Sequence, residues 1–297
     1  MISALILAMS LMTQSSQVED PSQSPPNPAL APYVKLSPPE GRFWVGADLN
    51  AAWIESKDRG TPIIAIVLRD GDPICDSWTQ QHLIDPAFRK VLEKHGVPAL
   101  ISLPGSNGKI HEPKQVEDDQ ECPIAGFEKC DQHSTGEVLI KDLPLPTLLP
   151  MIYLIDEDPK KSIPIPQEIP FRGAPALEEY LSKSSKDKKP NRTQYRFLLK
   201  HLDRAWEYDQ QDEFEKGCRE LVAAKRLLPL FSPRLQEVWD QAYAPYRGMG
   251  IQMIRRSKAA MKTNHLMGMR MLTRVAKTMA DLPEGERARH MLNAYQK

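Results

Sequence analysis

Net charge is absent from this chain, whose 297 residues include 39 Lys and Arg and 39 Asp and Glu. A protein without net charge exerts no overall electrostatic attraction on nucleic acid or on an anionic membrane. A phosphate-binding loop, a dinucleotide-binding fingerprint and a hydrolase nucleophile motif are also missing. The composition, with 41% hydrophobic and 26% charged residues, is typical of a soluble globular protein long enough for two domains. We therefore expect no nucleic-acid partner and no cofactor.

The N-terminal apolar run is too short to cross a bilayer. It extends from Ile2 to Met12 and suits the hydrophobic part of a secretory signal. No Lys or Arg precedes it and no Ala-x-Ala site follows it, so a disordered apolar N-terminus is the alternative. We expect residues 1–17 to be a signal peptide and the mature chain to have no membrane span. The expected location is extracytoplasmic, either periplasmic or secreted.

Proline and charge mark the domain boundaries. Seven of the 27 prolines fall between Pro21 and Pro39, which predicts an extended linker over residues 18–42. The segment 184–192 is charged and lacks large apolar residues, which predicts a second linker. A first domain over residues 43–183 and a second over residues 193–297 follow from these boundaries.

The second domain is predicted to be all-α, because apolar residues recur there at helical spacing. A faint repeat lies within it, since Gly217-x-Arg219-x-Leu221 recurs as Gly268-x-Arg270-x-Leu272. Two helix pairs related by duplication would produce this pattern. The cations of Arg255-Arg256-Ser257-Lys258 are more typical of a solvated helix face than of an anion site. Helix breaks are expected at four prolines, Pro229, Pro233, Pro245 and Pro283.

The first domain is predicted to open with a strand, a turn, a helix and a second strand. The apolar, β-branched run Thr61 to Arg69 is typical of a buried strand. Asp72 is a preferred N-cap and Pro73 suits the first helical position, so a helix starts here with Cys75 in its first turn. The next apolar run, Val97 to Leu103, predicts the second strand.

This succession resembles the opening of a thioredoxin-like domain. That family carries Cys-x-x-Cys where this chain has Asp72 and Cys75, so the first and nucleophilic cysteine is missing. The family also places a cis-proline before its next strand, facing the dithiol. Leu149-Pro150, followed by the apolar run Met151 to Ile155, is similar to that pattern.

The resemblance implies an α/β, thioredoxin-like fold over residues 43–183, followed by the all-α helical domain. A long polar insertion over residues 104–146 separates its second strand from Pro150. Local patterns also predict a helix over residues 47–57, ended by Gly60. An edge strand interrupted by prolines is expected over residues 162–171, and a closing helix over residues 174–183.

Cys75 is the single candidate for thiol catalysis. The helix dipole lowers a thiol pKa at this position, whereas the Asp72 carboxylate raises it, so we expect the two effects to cancel roughly. A buried structural cysteine is favoured over a reactive single thiol. Without a dithiol, the resemblance implies that Asp72, Pro73, Leu149 and Pro150 shape a peptide-binding groove or only hold the fold.

Cys122 and Cys130 lie within the predicted insertion, eight residues apart. In an exported protein this spacing favours a disulfide bond that closes a small loop. Adding His111 and His133 gives the four ligands of a zinc site, although the spacing matches no common zinc pattern. Unpaired thiols are a third possibility, and we expect no metal.

The combined interpretation is an exported, non-catalytic thioredoxin-like protein that binds a protein or peptide partner. The alternative is a single-cysteine thiol oxidoreductase or redox sensor that uses Cys75. The two differ in whether the Cys75 thiol is accessible and acidic.

Overall fold

A computed structural model describes residues 35–36, 49–105, 114–116, 119–121, 143, 148–156, 159–184 and 189–295. The predicted signal peptide, nearly all of the first linker and most of the insertion lie outside these described residues. Cys122, Cys130, His111 and His133 lie outside them as well. By their contacts, Leu36–Lys297 form one unit.

The first part of the described chain mixes helices with strands. Its elements are α1 (Leu49–Arg59), β1 (Ile63–Arg69), α2 (Pro73–Trp78), α3 (Pro86–His95), β2 (Val97–Leu103), β3 (Lys114–Val116), β4 (Asp119–Glu121), β5 (Met151–Ile155), β6 (Ile163–Pro164), α4 (Glu168–Phe171) and α5 (Ala174–Ser184). A π-helical turn, Thr79–Leu83, joins α2 to α3.

Four of these strands form a mixed sheet in the order β2-β1-β5-β6. Strand β1 is parallel to β2 and antiparallel to β5, which in turn is antiparallel to β6. Strands β3 and β4 pair only with each other among the described strands. This part of the chain is therefore α/β, with a small mixed sheet and several helices.

Strand β1 lies at the centre of the sheet because its sequence is apolar without alternation. Residues Ile63 to Leu68 are all buried, as expected for a strand covered on both faces. Helices α1, α3 and α5 contribute apolar side chains to the same core, including Ala52, Leu92 and Leu177. The turn after β1 is thereby fixed at the end of a buried central strand.

The second part of the described chain is helical. Its helices are α6 (Arg192–Gln210), α7 (Phe214–Leu227), α8 (Pro233–Thr263), α9 (His265–Thr278) and α10 (Pro283–Tyr295). They enclose an apolar core of their own. Each described helix of the chain is too short or too polar to cross a bilayer.

Several local predictions are confirmed. Strands β2 and β5 have the predicted bounds, and α5 matches the predicted closing helix. Helix α1 ends at Arg59, and Gly60 follows in the left-handed region at φ +60°. The Leu149–Pro150 peptide bond is cis, as the sequence predicts.

The predicted edge strand over residues 162–171 is largely wrong. Ile163 and Pro164 pair with β5, the Ile165 N–H donates to the Ile152 carbonyl at 2.8 Å, and Glu168–Phe171 forms the helix α4 instead. The strand ends where Gln167 adopts helical backbone angles, with φ −59° and ψ −32°. The Ile169 N–H donates to the Pro166 carbonyl at 2.9 Å, which starts the helical turn.

The predicted break at Pro245 is also wrong, since Pro245 lies inside the 31-residue helix α8. An internal proline loses one helical hydrogen bond and costs about 3 kcal/mol. Tyr243 and Tyr246 on either side of it are buried in the helical core, and the Tyr246 hydroxyl donates to the Ala205 carbonyl. This packing outweighs the proline. Pro233 and Pro283 do begin helices, and Pro229 lies in the 3-10 turn between α7 and α8.

Candidate functional site

Asp72 caps helix α2. Its Oδ1 accepts hydrogen bonds from the N–H groups of Ile74, at 2.9 Å, and Cys75, at 3.2 Å. These N–H groups have no partner within the helix, so the carboxylate stabilises the helix start. Asp72 is therefore used structurally.

The Cys75 thiol is buried, with 1% of the residue exposed. Its Sγ accepts a hydrogen bond from the Arg69 N–H at 3.4 Å, which favours the thiolate. Burial has the largest effect, the carboxylates of Asp72 and Asp76 add to it, and the pKa of Cys75 is raised to about 11. The expectation of an ordinary thiol pKa is wrong, because it weighed only the dipole and the carboxylate and left out burial. At pH 7 only about one such thiol in ten thousand is ionised.

The described cysteines are both free thiols in separate cores. Cys75 belongs to the α/β core and Cys218 to the helical core, where burial raises the pKa of Cys218 to about 12. Within the described part of the chain, no three His, Cys, Asp or Glu side chains are grouped for a metal ion. The disulfide between Cys122 and Cys130, like its alternatives, stays a prediction.

The predicted groove residues lie at one end of the sheet. Val67 near the end of β1 pairs with Met151 at the start of β5. The turn before α2 and the Leu149–Pro150 bond therefore lie at the same end of the sheet. The Ser102 hydroxyl donates to Asp70 at 2.7 Å and fixes the adjoining turn. The four predicted residues therefore lie at the same end of the sheet, and the groove itself stays a prediction.

The exposed apolar side chains at this end of the sheet differ from the predicted groove residues. Leu149 and Pro150 are buried, whereas Pro73 is exposed. The most exposed apolar side chains here are Ile74, at 58%, and Leu148, at 60%. Sequence reasoning missed both, and their apolar character next to Pro73 and Leu149 is the signal that could have found them.

Three aromatic side chains support α2 from the core side. The Trp78 and Phe88 rings pack edge to face at 5.6 Å, and the His82 ring lies 5.5 Å from Trp78. Burial lowers the pKa of His82, although Asp85 opposes the effect. The π-helical turn that carries His82 is therefore packed against an apolar layer, which favours the neutral imidazole.

A first buried charge cluster joins α1 to the helical part, and nothing in the sequence pattern predicted it. Arg59, which is 1% exposed, contacts Glu55 at 2.8 Å and donates to the carbonyls of Glu93 and Gly96. Arg192, the first residue of α6, contacts the same Glu55 carboxylate at 3.0 Å. Two buried guanidinium groups thus share one carboxylate between the two parts.

A second cluster surrounds Asp58 on the same helix. Its buried carboxylate accepts hydrogen bonds from the Ser232 hydroxyl at 2.7 Å, the Arg234 Nε at 2.9 Å and the Tyr195 hydroxyl at 3.1 Å. Because Ser232 and Arg234 flank the start of α8, this carboxylate holds α8 against α1. The helical part is therefore fixed on α1 at two places. The only sequence signal is polar residues at positions 55, 58 and 59, which share one face of α1.

Comparisons with protein-family models, with curated proteins and with solved structures found no match for this chain. Its function is therefore inferred from the geometry of its own residues.

Proposed function

We propose that this chain is a thioredoxin-like protein without dithiol chemistry, exported from the cytoplasm, whose α/β part binds a protein or peptide partner. The proposal rests on the structural role of Asp72 and on the burial of Cys75. Asp72 is occupied in capping α2, and the Cys75 thiol is buried with a pKa of about 11. Neither group suits nucleophilic attack, which needs an accessible thiolate.

Support for the thioredoxin-like fold comes from the order of elements around Cys75. Strand β1 leads through a turn into α2, whose first turn carries Cys75, and β2 then runs parallel to β1. The next strand of the sheet, β5, directly follows Pro150. This order of elements supports the proposed resemblance.

Support for peptide binding comes from the end of the sheet beside α2. Ile74 and Leu148 remain exposed there on a buried framework. Contiguous apolar surface marks binding sites, and we assign these two side chains to such a surface. The Asp72 cap, which accepts the Ile74 and Cys75 N–H groups, fixes the backbone that carries Ile74.

A peptide array tests the binding part of this proposal. We expect the protein to bind a subset of peptides with apolar side chains, and the double variant Ile74→Ser and Leu148→Ser to lose at least about tenfold in affinity. Phe197→Ser is the matched control, because Phe197 is similarly exposed on the helical part. Equal affinity of the double variant and the control would contradict the assigned surface.

Native alkylation with peptide mass mapping tests the non-catalytic part. Cys75 should react with iodoacetamide only after the protein is unfolded, because its thiol is buried and protonated. Rapid labelling of native Cys75 at neutral pH, or a disulfide between Cys75 and the insertion, would favour the thiol-dependent enzyme instead.

A further inference from the structure

One long segment of this neutral chain has a net positive charge because it contains no acidic residue. The 40 residues from Gln241 to Ala280 contain 8 Lys and Arg and no Asp or Glu. They form most of α8 and all of α9. An acid-free stretch of this length in a chain with equal numbers of both charges creates a local positive field.

Most of these cations are exposed and lack a partner among the described residues. Arg247 lies 3.7 Å from Glu284, and Arg274 lies 2.7 Å from Glu215. The other six cations have no ion pair or hydrogen bond within the described part of the chain. They are Arg255, Arg256, Lys258, Lys262, Arg270 and Lys277.

The unpaired cations lie in rows along the helices. Arg255, Lys258 and Lys262 are spaced three and four residues apart and share one face of α8. Like charges at this spacing destabilise a helix, so the row weakens α8 unless an anionic surface lies against it. Arg270 and Lys277 form a corresponding row on α9.

The corner between the two helices presents apolar side chains to solvent. Asn264 is the one residue between α8 and α9, and its Oδ1 accepts the Met267 N–H at 3.0 Å. Gly268 lies so close to α8 that a Cβ atom there would be 2.2 Å from the Met261 Cγ, so the corner is tightly packed. Leu266 is 63% exposed and Met267 is 55% exposed on it.

We propose that this basic corner, formed by Arg255, Lys258, Lys262 and Arg270 with Leu266 and Met267, binds the surface of an anionic lipid bilayer. Basic side chains near an anionic surface gain electrostatic attraction, and apolar side chains at the same level enter the headgroup layer. A nucleic acid would make no use of the exposed Leu266 and Met267, because single strands are bound by aromatic stacking.

Vesicle co-sedimentation of the full chain tests the proposal. The two vesicle types are pure phosphatidylcholine and an equimolar mixture of phosphatidylcholine and phosphatidylglycerol. We expect binding to the mixed vesicles that weakens as salt is added, and little binding to the pure ones. The apolar run from Ile2 to Met12 carries no charge, so it contributes equally to both vesicle types.

Two sets of substitutions separate charge from apolar contact. The triple variant Arg255→Gln, Lys258→Gln and Lys262→Gln should lower the partition coefficient on mixed vesicles on the order of 100-fold, at about fivefold per cation. The double variant Leu266→Ser and Met267→Ser should lower it at least about tenfold. The control removes three exposed cations elsewhere, as Lys57→Gln, Lys90→Gln and Arg219→Gln.

The control variant should bind mixed vesicles like the unchanged protein, and circular dichroism should show that every variant is folded. Equal losses in the control and in the triple variant would overturn the proposal, since net charge alone would then explain binding. Binding of polyuridylate or polyglutamate, unaffected by the double variant and without vesicle binding, would overturn it in favour of an anionic polymer partner.

Discussion

At the scale of single residues, Cys75 shows how position in the fold decides thiol chemistry. The helix start supplies N–H groups that favour a thiolate, and the Arg69 N–H does donate to the sulfur. The side chain nevertheless points into the core, where burial raises the pKa to about 11. A cysteine at a helix start is therefore reactive only when solvent reaches it.

The raised pKa of Cys75 predicts a loss of stability in alkaline solution. An unfolded thiol has a pKa near 8.5, so the folded state holds its proton more firmly and is favoured below that pH. The contribution of about 3 kcal/mol should be lost as pH rises from about 8.5 toward about 11. Urea unfolding of the unchanged protein and of Cys75→Ala over this pH range measures it. A variant with the same pH slope as the unchanged protein would refute the assignment.

At the scale of elements, α1 has polar residues on its inner face. Glu55, Asp58 and Arg59 are buried, and each contacts the helical part directly or through a shared carboxylate. Buried ion pairs contribute little when intact, but the loss of one member leaves an uncompensated charge. The inner face of α1 is therefore sensitive to substitution.

Arg59→Met should destabilise the protein by about 3–5 kcal/mol. The Glu55 carboxylate would then contact only the Arg192 guanidinium, and the carbonyls of Glu93 and Gly96 would lose their donor. Chemical denaturation gives the free energy of unfolding. Lys57→Met on the exposed face of the same helix is the control and should change stability by less than about 0.5 kcal/mol. Similar values for both variants would show that the buried cluster has no such role.

The difference between local patterns and long-range contacts explains which elements the sequence predicts. Strands β1, β2 and β5 follow from their own apolar runs, since a fully buried strand carries its signal locally. The continuous helix through Pro245 depends on two buried tyrosines, and the clusters around Arg59 and Asp58 depend on residues more than one hundred positions away. Long-range contacts of this kind leave no local pattern. At the candidate site, the helix start at Asp72 and the burial of Cys75 were both predicted and are confirmed, whereas the effect of that burial on the thiol pKa required the packed fold.

At the scale of the whole molecule, the two parts keep separate apolar cores but share buried charges. The α/β core and the helical core contain different residues, whereas Asp58 and Glu55 contact both sides. Since α6 begins at Arg192 within this shared cluster, the predicted linker ends in a fixed contact. Cooperative unfolding of the two parts should depend on these few side chains.

Asp58→Ala should uncouple the two parts, because Tyr195, Arg234 and Ser232 lose their common acceptor. In the unchanged protein, thermal unfolding followed by tryptophan fluorescence and by circular dichroism should give one transition. In the variant the fluorescence should show two transitions several degrees apart, since Trp78 reports on the α/β core and Trp239 on the helical core. Coincident transitions in the variant would show that other contacts couple the parts.

Helix α8 also sets a distance. It begins beside Arg234, which holds Asp58 of the α/β part, and it ends at Thr263 next to the basic corner. With 31 residues, it measures about 45 Å along its axis. In a molecule attached to a bilayer through Leu266 and Met267, the length of α8 would therefore set the greatest distance between Asp58 and the lipid headgroups. The helix would act as a spacer, and each added turn would increase that distance.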